Sequence, residues 1–277
     1  MDSKVLQVER AGPVATIWLS RPEAHNAFGP DMWSDLPVAI DEVRRDADVR
    51  AVVIAAHGAS FTTGLDLKAF GPAIATGIPP DGIDRGSAVG NRKGLYELIR
   101  KWQGSISAVA RCPKPVIAAI HGWCIGAGVD LITACDIRLA AADAVLSVRE
   151  TRLAMVADVG TLQRLPRIIG PGKVAELAFT GRDVTAAEAQ DMGLVDHVYE
   201  DAAATQAAAA TMAADIADNS PLAVQGTKAV LVAAEGRSVE EALDYVALWN
   251  AAFLQSEDLR EAVTAFVEKR PASFEGR

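Results

Sequence analysis

Three carboxylates stand out because of the company they keep. In VRETRLAMVADVG (148–160), Glu150 and Asp158 lie among Leu153, Ala154, Met155, Val156 and Val159, and Asp130 lies within GAGVDLITAC (126–135). Acids seldom sit in apolar surroundings without a partner or a chemical task, because desolvating a charge is costly. Such surroundings raise a carboxyl pKa, and a nearby like charge raises one member of a pair further. That division equips one acid to act as an ionised base and another as a protonated acid. In isolation each acid also has a plainer reading. Asp130 would complement the dipole of a helix first turn, and Asp136 after Cys135 reads as a turn acid ending that helix. Glu150 and Asp158 are followed by a non-helical Val159-Gly160, so one helical face need not hold both.

A second feature concerns backbone rather than side chains. AVVIAAHGASFTTGLDL (51–67) and PVIAAIHGWCIGAGVDLITACD (115–136) each run from a buried apolar strand into a glycine-containing turn. In the second, the turn His121-Gly122 leads to a helix starting near Gly126, whose first N–H groups are free and favour negative charge. If the turn at Gly64-Leu65 lies opposite, two backbone N–H groups converge on one oxygen, the arrangement that stabilises an enolate or a tetrahedral oxyanion. Other chemistries fit less well. GAGVDL lacks the last glycine of a dinucleotide fingerprint, no phosphate-loop motif occurs, and Ser147 stands in no nucleophile elbow.

The elements that must position these residues are legible in outline. LQVERAGPVATIWLS reads as a two-stranded hairpin turning at Gly12-Pro13, and Asp31–Asp46 has helical spacing interrupted by Pro37. AVVIAA and PVIAAI suit strands buried on both faces, and CDIRLAAADAVLSV supplies two short strands. Leu95–Ala110 reads as an amphipathic helix stopped by Pro113 and Pro115. Gly71–Gly94 shows no periodicity and is expected to be a mobile loop without assigned structure. From Thr161 onward the pattern is almost wholly helical. Thr185 with Glu188 forms a capping box, Asp201–Asn219 is an alanine-rich helix, and Ser220-Pro221 opens another. Strands alternating with helices, then a helical final third, imply an α/β chain with a largely parallel sheet.

Size and charge exclude several classes. The 277 residues, half of them hydrophobic, provide ample core for an α/β protein. A net charge of −9 argues against nucleic acid and basic membrane-surface binding, and no apolar run reaches the roughly 18 residues of a membrane helix. Cys112, Cys124 and Cys135 form no CxxC pair and the four histidines are scattered, so a metal site is not expected and the cysteines should be reduced and mostly buried. The start MDSKVLQVER and the end SFEGR carry no recognisable address, from which a cytoplasmic protein is expected.

Taken together, KPVIAAIHGWCIGAGVDLITACDIRLAAADAVLSVRE (114–150), RPEAHNAF (21–28) and FTTGLDL (61–67) resemble the crotonase, or enoyl-CoA hydratase/isomerase, superfamily over essentially the whole chain. The resemblance implies a spiral of ββα repeats over residues 1–200 that carries the acyl-CoA site. It also implies a helical trimerisation region over 201–277, assembling as a homotrimer or a hexamer built from two trimers. It places the oxyanion N–H groups on Leu65 and Ala127, and the coenzyme A contacts on Ala24, His25, Thr63, Asp66 and Leu67. Coenzyme A would enter as part of the substrate, with no separate cofactor. Asp130 stands where typical hydratases carry the first of two glutamates, and Glu150 where they carry the second. Asp130, Glu150 and Asp158 together, with ADVGTLQRLPRIIG (157–170) and SPLAVQGTK (220–228), resemble the dienoyl-CoA isomerase branch more closely. This branch shifts 3,5-dienoyl-CoA to 2,4-dienoyl-CoA, taking a proton from C2 and returning one at C6. Glu150 is expected to serve C2 and Asp158 to serve C6, with Asp130 tuning Glu150 and with Leu153, Met155 and Val156 as an apolar wall. The alternative is an enoyl-CoA hydratase that adds water across a 2-enoyl double bond.

Overall fold

A computed structural model describes residues 2–76, 78 and 82–277. The chain opens with the expected hairpin, β1 (Leu6–Ala11) and β2 (Val14–Leu19), paired antiparallel around Gly12-Pro13. Helix α1 (Pro30–Arg45) buries Met32, Trp33, Leu36, Ala39, Ile40 and Val43, the stripe its spacing predicts. Pro37 lacks the N–H that would bond the Trp33 carbonyl, and the Ser105 hydroxyl donates to that carbonyl instead at 2.5 Å. Strand β3 (Ala51–Ala56) follows, parallel to β2 and buried at all six positions.

The expected loop at Gly71–Gly94 is corrected at both ends. Helix α2 (Leu67–Thr76) enters it, and α3 (Ala88–Ala110) starts seven residues before the predicted Leu95. Caps account for both. Asp66 Oδ1 accepts from the N–H groups of Lys68 and Ala69, and the Ser87 hydroxyl accepts from Gly90. Residues 77 and 79–81 of that stretch lie outside the described residues. Ring contacts tie the three helices together, with Trp102 stacked on Trp33 and tilted against Phe70.

Beyond α3 the chain winds in a repeated path. Strand β4 (Val116–Ile120) joins the large sheet, β5 (Trp123–Ile125) joins a small second sheet, and α4 (Ala127–Thr133) follows. Strand β6 (Ile137–Ala141) then returns to the large sheet, β7 (Val145–Ser147) goes to the small one, and a 3-10 turn over Glu150–Leu153 leads to α5 (Thr161–Ile169). Next come α6 (Pro171–Thr180), β8 (Val184–Thr185), α7 (Ala186–Asp191) and β9 (His197–Tyr199). The large sheet has the order β1-β2-β3-β4-β6-β9, parallel except for β1, and the small sheet has the order β5-β7-β8. The three short strands β5, β8 and β9 were hidden in segments read as turn or helix, being too short to show a period.

Helix α8 (Ala202–Ala217) lies on the large sheet and buries Ala209, Ala213 and Ala217 with Val53, Ile117 and Leu139. Small side chains let the helix approach closely. Three further helices complete the chain, α9 (Pro221–Ala233), α10 (Val239–Phe253) and α11 (Glu257–Glu268), and they expose Leu231, Leu243, Leu248 and Phe266. Lys228 on α9 ties the C-terminal region to the core, donating to Asp136 Oδ2 at 2.5 Å and to the Lys114 carbonyl at 3.0 Å. Asp136 also accepts from the N–H of Val116, so this turn acid is an anchor between α9 and β4.

Candidate active site

The two glycine turns meet. Thr62 donates its N–H to the Trp123 carbonyl at 2.8 Å, and Ile125 donates to the Thr62 carbonyl at 3.1 Å, so the first loop runs beside β5. Gly64, at φ +84°, packs so closely that a Cβ there would lie 2.6 Å from the Ile125 carbonyl oxygen and 3.4 Å from the Ala127 nitrogen. The Leu65 and Ala127 N–H groups are therefore neighbours across this contact, and among the described residues neither has a hydrogen-bond partner. Two free donors on adjacent turns, one of them opening α4, form a cradle for a developing oxyanion.

Glu150 lies beside this cradle. A Cβ on Gly126 would come 3.3 Å from Glu150 Oε1, so only a glycine hydrogen faces the carboxylate. The other oxygen, Oε2, is buried without a hydrogen-bond partner among the described residues. Burial pushes this carboxyl above its ordinary range, and the charge of Asp158 adds to the effect.

Asp130 is 1% exposed in the first turn of α4, where all seven residues are buried. Its Oδ1 accepts the N–H of Thr161 at 2.5 Å, which locks the start of α5 against α4. Burial pushes its pKa up to about 7, against the pull of the Thr161 hydrogen bond and with further upward pressure from Glu150 and Asp158. Asp158 faces solvent at the wall of a cavity between α3 and α5, and partial desolvation raises its carboxyl as well. The three acids thus share one electrostatic neighbourhood.

The expected apolar wall is corrected. Leu153 and Val156 are exposed, 47% and 73%, and Met155 is half-buried. The left-handed Ala154 ends the 3-10 turn and sends this stretch along the surface. Asp130 is instead buried within the packed α4, and Ala157 and Val159, which flank Asp158, are themselves buried.

The five coenzyme A candidates gather on one rim. The Thr63 N–H donates to the His25 carbonyl at 3.1 Å, the Asp66 N–H donates to the Phe28 carbonyl, and Ala24 ends the 3-10 turn just before the exposed His25. Leu67 opens α2 beside them and is exposed. The Asp66 carboxylate is occupied within the protein, pairing with Arg21 at 2.7 Å while capping α2, and the guanidinium holds it below its ordinary pKa against the effect of burial.

Two positioning residues escaped the sequence reading. Asn26, fully buried and left-handed, donates to the carbonyls of His57 and Ser60 and accepts from the Arg21 N–H. The Thr62 hydroxyl donates to the Asn26 carbonyl and accepts the Gly64 N–H, which sets the loop that carries Leu65. The available signal was a lone Asn inside RPEAHNAF, next to residues picked for ligand contact. Ser147 donates to the carbonyls of Gly181 and Arg182 and is structural. All three cysteines are free and buried. Among the described residues no group of three His, Cys, Asp or Glu side chains could hold a metal ion, and no helix is long and apolar enough to cross a membrane.

Known proteins share both this sequence and this geometry. The chain matches the Enoyl-CoA hydratase/isomerase family over residues 9–78 and 80–277. It belongs to that family. It is 43% identical to a mitochondrial Delta(3,5)-Delta(2,4)-dienoyl-CoA isomerase of Dictyostelium discoideum, over 99% of this chain and 92% of that protein. It is likewise 43% identical to a peroxisomal Delta(3,5)-Delta(2,4)-dienoyl-CoA isomerase of Arabidopsis thaliana, over 98% and 97% of the two chains. The crystal structure of a putative enoyl-CoA hydratase from Streptomyces coelicolor superposes with a TM-score of 0.89 at 33% identity, covering 100% of this chain and 96% of that one. The fold is accordingly the crotonase fold. The expectation of a cytoplasmic protein is overturned, since these two isomerases are named mitochondrial and peroxisomal. A compartment is addressed by short receptor-read segments and not by the fold, so failing to recognise one does not place a protein in the cytoplasm.

Proposed function

We propose that the protein isomerises 3,5-dienoyl-CoA to 2,4-dienoyl-CoA. The observation that carries this reading is the third acid, Asp158, whose charge adds to the upward push on the Glu150 carboxyl and which lines a cavity of its own. A hydratase needs two acids around one water, whereas moving a conjugated diene needs proton sites separated along the acyl chain. The likeness to named dienoyl-CoA isomerases over nearly the whole chain supports the same choice.

The thioester oxygen sits between the Leu65 and Ala127 N–H groups, which stabilise the enolate formed when C2 loses its proton. C2 is bonded to the carbon carrying that oxygen, so its base must lie beside the cradle. Glu150 does, next to Gly126. Asp158, farther along, returns a proton at C6. Asp130 holds the start of α5, and thus the segment carrying Asp158, through Thr161. Ala24, His25, Thr63, Asp66 and Leu67 form the rim that receives coenzyme A, which arrives with the substrate and leaves no need for a separate cofactor. The exposed apolar residues of 201–277 support assembly of this region into a trimer or a pair of trimers.

The test is growth of the 2,4-dienoyl thioester absorbance from a 3,5-dienoyl-CoA. Wild type is expected to convert it, Asp158→Asn to lose about 10²- to 10⁴-fold in kcat while still binding acyl-CoA, and crotonyl-CoA to be hydrated poorly. Efficient crotonyl-CoA hydration that is indifferent to Asp158→Asn would make the protein a hydratase.

A further inference from the structure

The cavity walled by Asp158 has a volume of about 550 Å³ and is unlike a pocket for an alkyl chain. Pockets for apolar ligands are lined mainly by hydrophobic and aromatic side chains. Here Val159 is the only aliphatic lining residue, and four guanidinium groups, from Arg100, Arg111, Arg164 and Arg167, face a single carboxylate. So many cations in one hollow contrast with a chain of net charge −9.

Among the described residues, only one of these four arginines has an ion-pair partner. Arg164 is half-buried and bonds only neutral oxygens, donating to the Ser107 hydroxyl at 3.0 Å and to the Val159 carbonyl at 3.4 Å. Arg100 donates to Gln103 Oε1 at 2.6 Å. Arg167 pairs with Glu235, and the Arg111 side chain has no hydrogen bond or ion pair among the described residues. Burial lowers the Arg164 pKa, and the positive charges of Arg111 and Arg167 push the same way, opposed by Asp130 and Glu235. Cations that line one cavity are stabilised by an incoming anion, and a guanidinium matches a carboxylate with two parallel hydrogen bonds.

We propose that this cavity receives the acyl chain beyond C6 and that the preferred substrate ends there in a carboxylate, making it an ω-carboxy dienoyl thioester rather than a plain fatty one. The proposal rests on the isomerase reading, which puts C6 at Asp158. A chain two carbons longer carries its terminal carboxylate past Asp158 into the arginine cluster. Gln103, which donates to the Asp158 carbonyl at 2.6 Å, ties α3 to the segment that carries Asp158.

Titration calorimetry with saturated thioesters tests the cavity without turnover. Octanoyl-CoA and the mono-CoA thioester of octanedioic acid are compared on wild type, Arg111→Gln and Arg164→Gln, with Arg45→Gln, outside the cavity, as control. The carboxylate-ended thioester is expected to bind wild type about tenfold more tightly, a preference reduced toward parity in both cavity variants and kept in the control. Equal or weaker binding of that thioester to wild type overturns the proposal, as does a preference that survives both cavity substitutions. Free octanedioate binding as tightly as its thioester also overturns it, since the cavity would then be an anion site independent of the acyl chain. Failure to isomerise any 3,5-dienoyl-CoA, with the binding preference intact, would sink the isomerase reading and leave the carboxylate site standing.

Discussion

Asp130 shows how one residue couples chemistry to stability. Its carboxyl titrates near an ordinary 3.9 when unfolded and at about 7 when folded. A carboxyl raised by folding stabilises the protein while both states hold the proton, below about pH 4, and that stabilisation is lost as pH rises toward 7. Asp130→Asn keeps an oxygen for the Thr161 N–H and cannot ionise. Between pH 5 and 8 it is expected to lose less stability than wild type, by on the order of 2–4 kcal/mol, measured as the difference in urea unfolding free energy at the two pH values. Glu150 and Asp158 are raised too, so the acid limb of the kcat profile is expected above the usual carboxylate pKa of about 4.3. A limb at or below that value would show that neither acid is the ionised base.

At the scale of elements, the cradle depends on two turns held at contact distance. Gly64→Ala would drive a methyl group into the Ile125 carbonyl from a left-handed backbone. It is expected to lower kcat about 100-fold or more through the displaced Leu65 donor, while circular dichroism stays native. Asn26→Ala strands the carbonyls of His57 and Ser60 and frees the 21–28 segment. It should cost about 2–3 kcal/mol of stability and raise KM for the thioester. A variant with unchanged KM would detach Asn26 from the coenzyme A rim. The spacing of α1 and the capping box at Thr185 and Glu188 were legible because each is a local pattern. The start of α3 was not, because its first turns carry Gly90 and Gly94 and depend on one serine cap.

For the whole molecule, the alternation of strands between a large and a small sheet draws on three separate segments of the chain, carrying residue 65, residue 127, and residues 150 and 158. The C-terminal helices leave Leu243, Leu248 and Phe266 exposed. Sedimentation velocity is expected to find a trimer or hexamer, and Leu248→Asp to shift it toward smaller species without loss of helix content. A wild-type monomer at micromolar concentration would remove the assembly role assigned to 201–277.

The strands of continuous apolar character, the capped helices, the family and the identity of the three acids are legible without coordinates, because each is written in neighbouring residues. Tertiary structure decided what those acids experience. Gly126 leaves space for the Glu150 carboxylate, whose Oε2 is buried without a hydrogen-bond partner among the described residues, and Asp130 is raised because α4 is buried along its whole length. Leu153 and Val156 look like a pocket wall in sequence and lie on the surface because Ala154 turns the chain outward. Four arginines from two stretches far apart in the chain, Arg100 and Arg111 in one and Arg164 and Arg167 in the other, line one cationic cavity only in the folded chain. Desolvation and charge clustering are properties of space, and no local window of residues contains them.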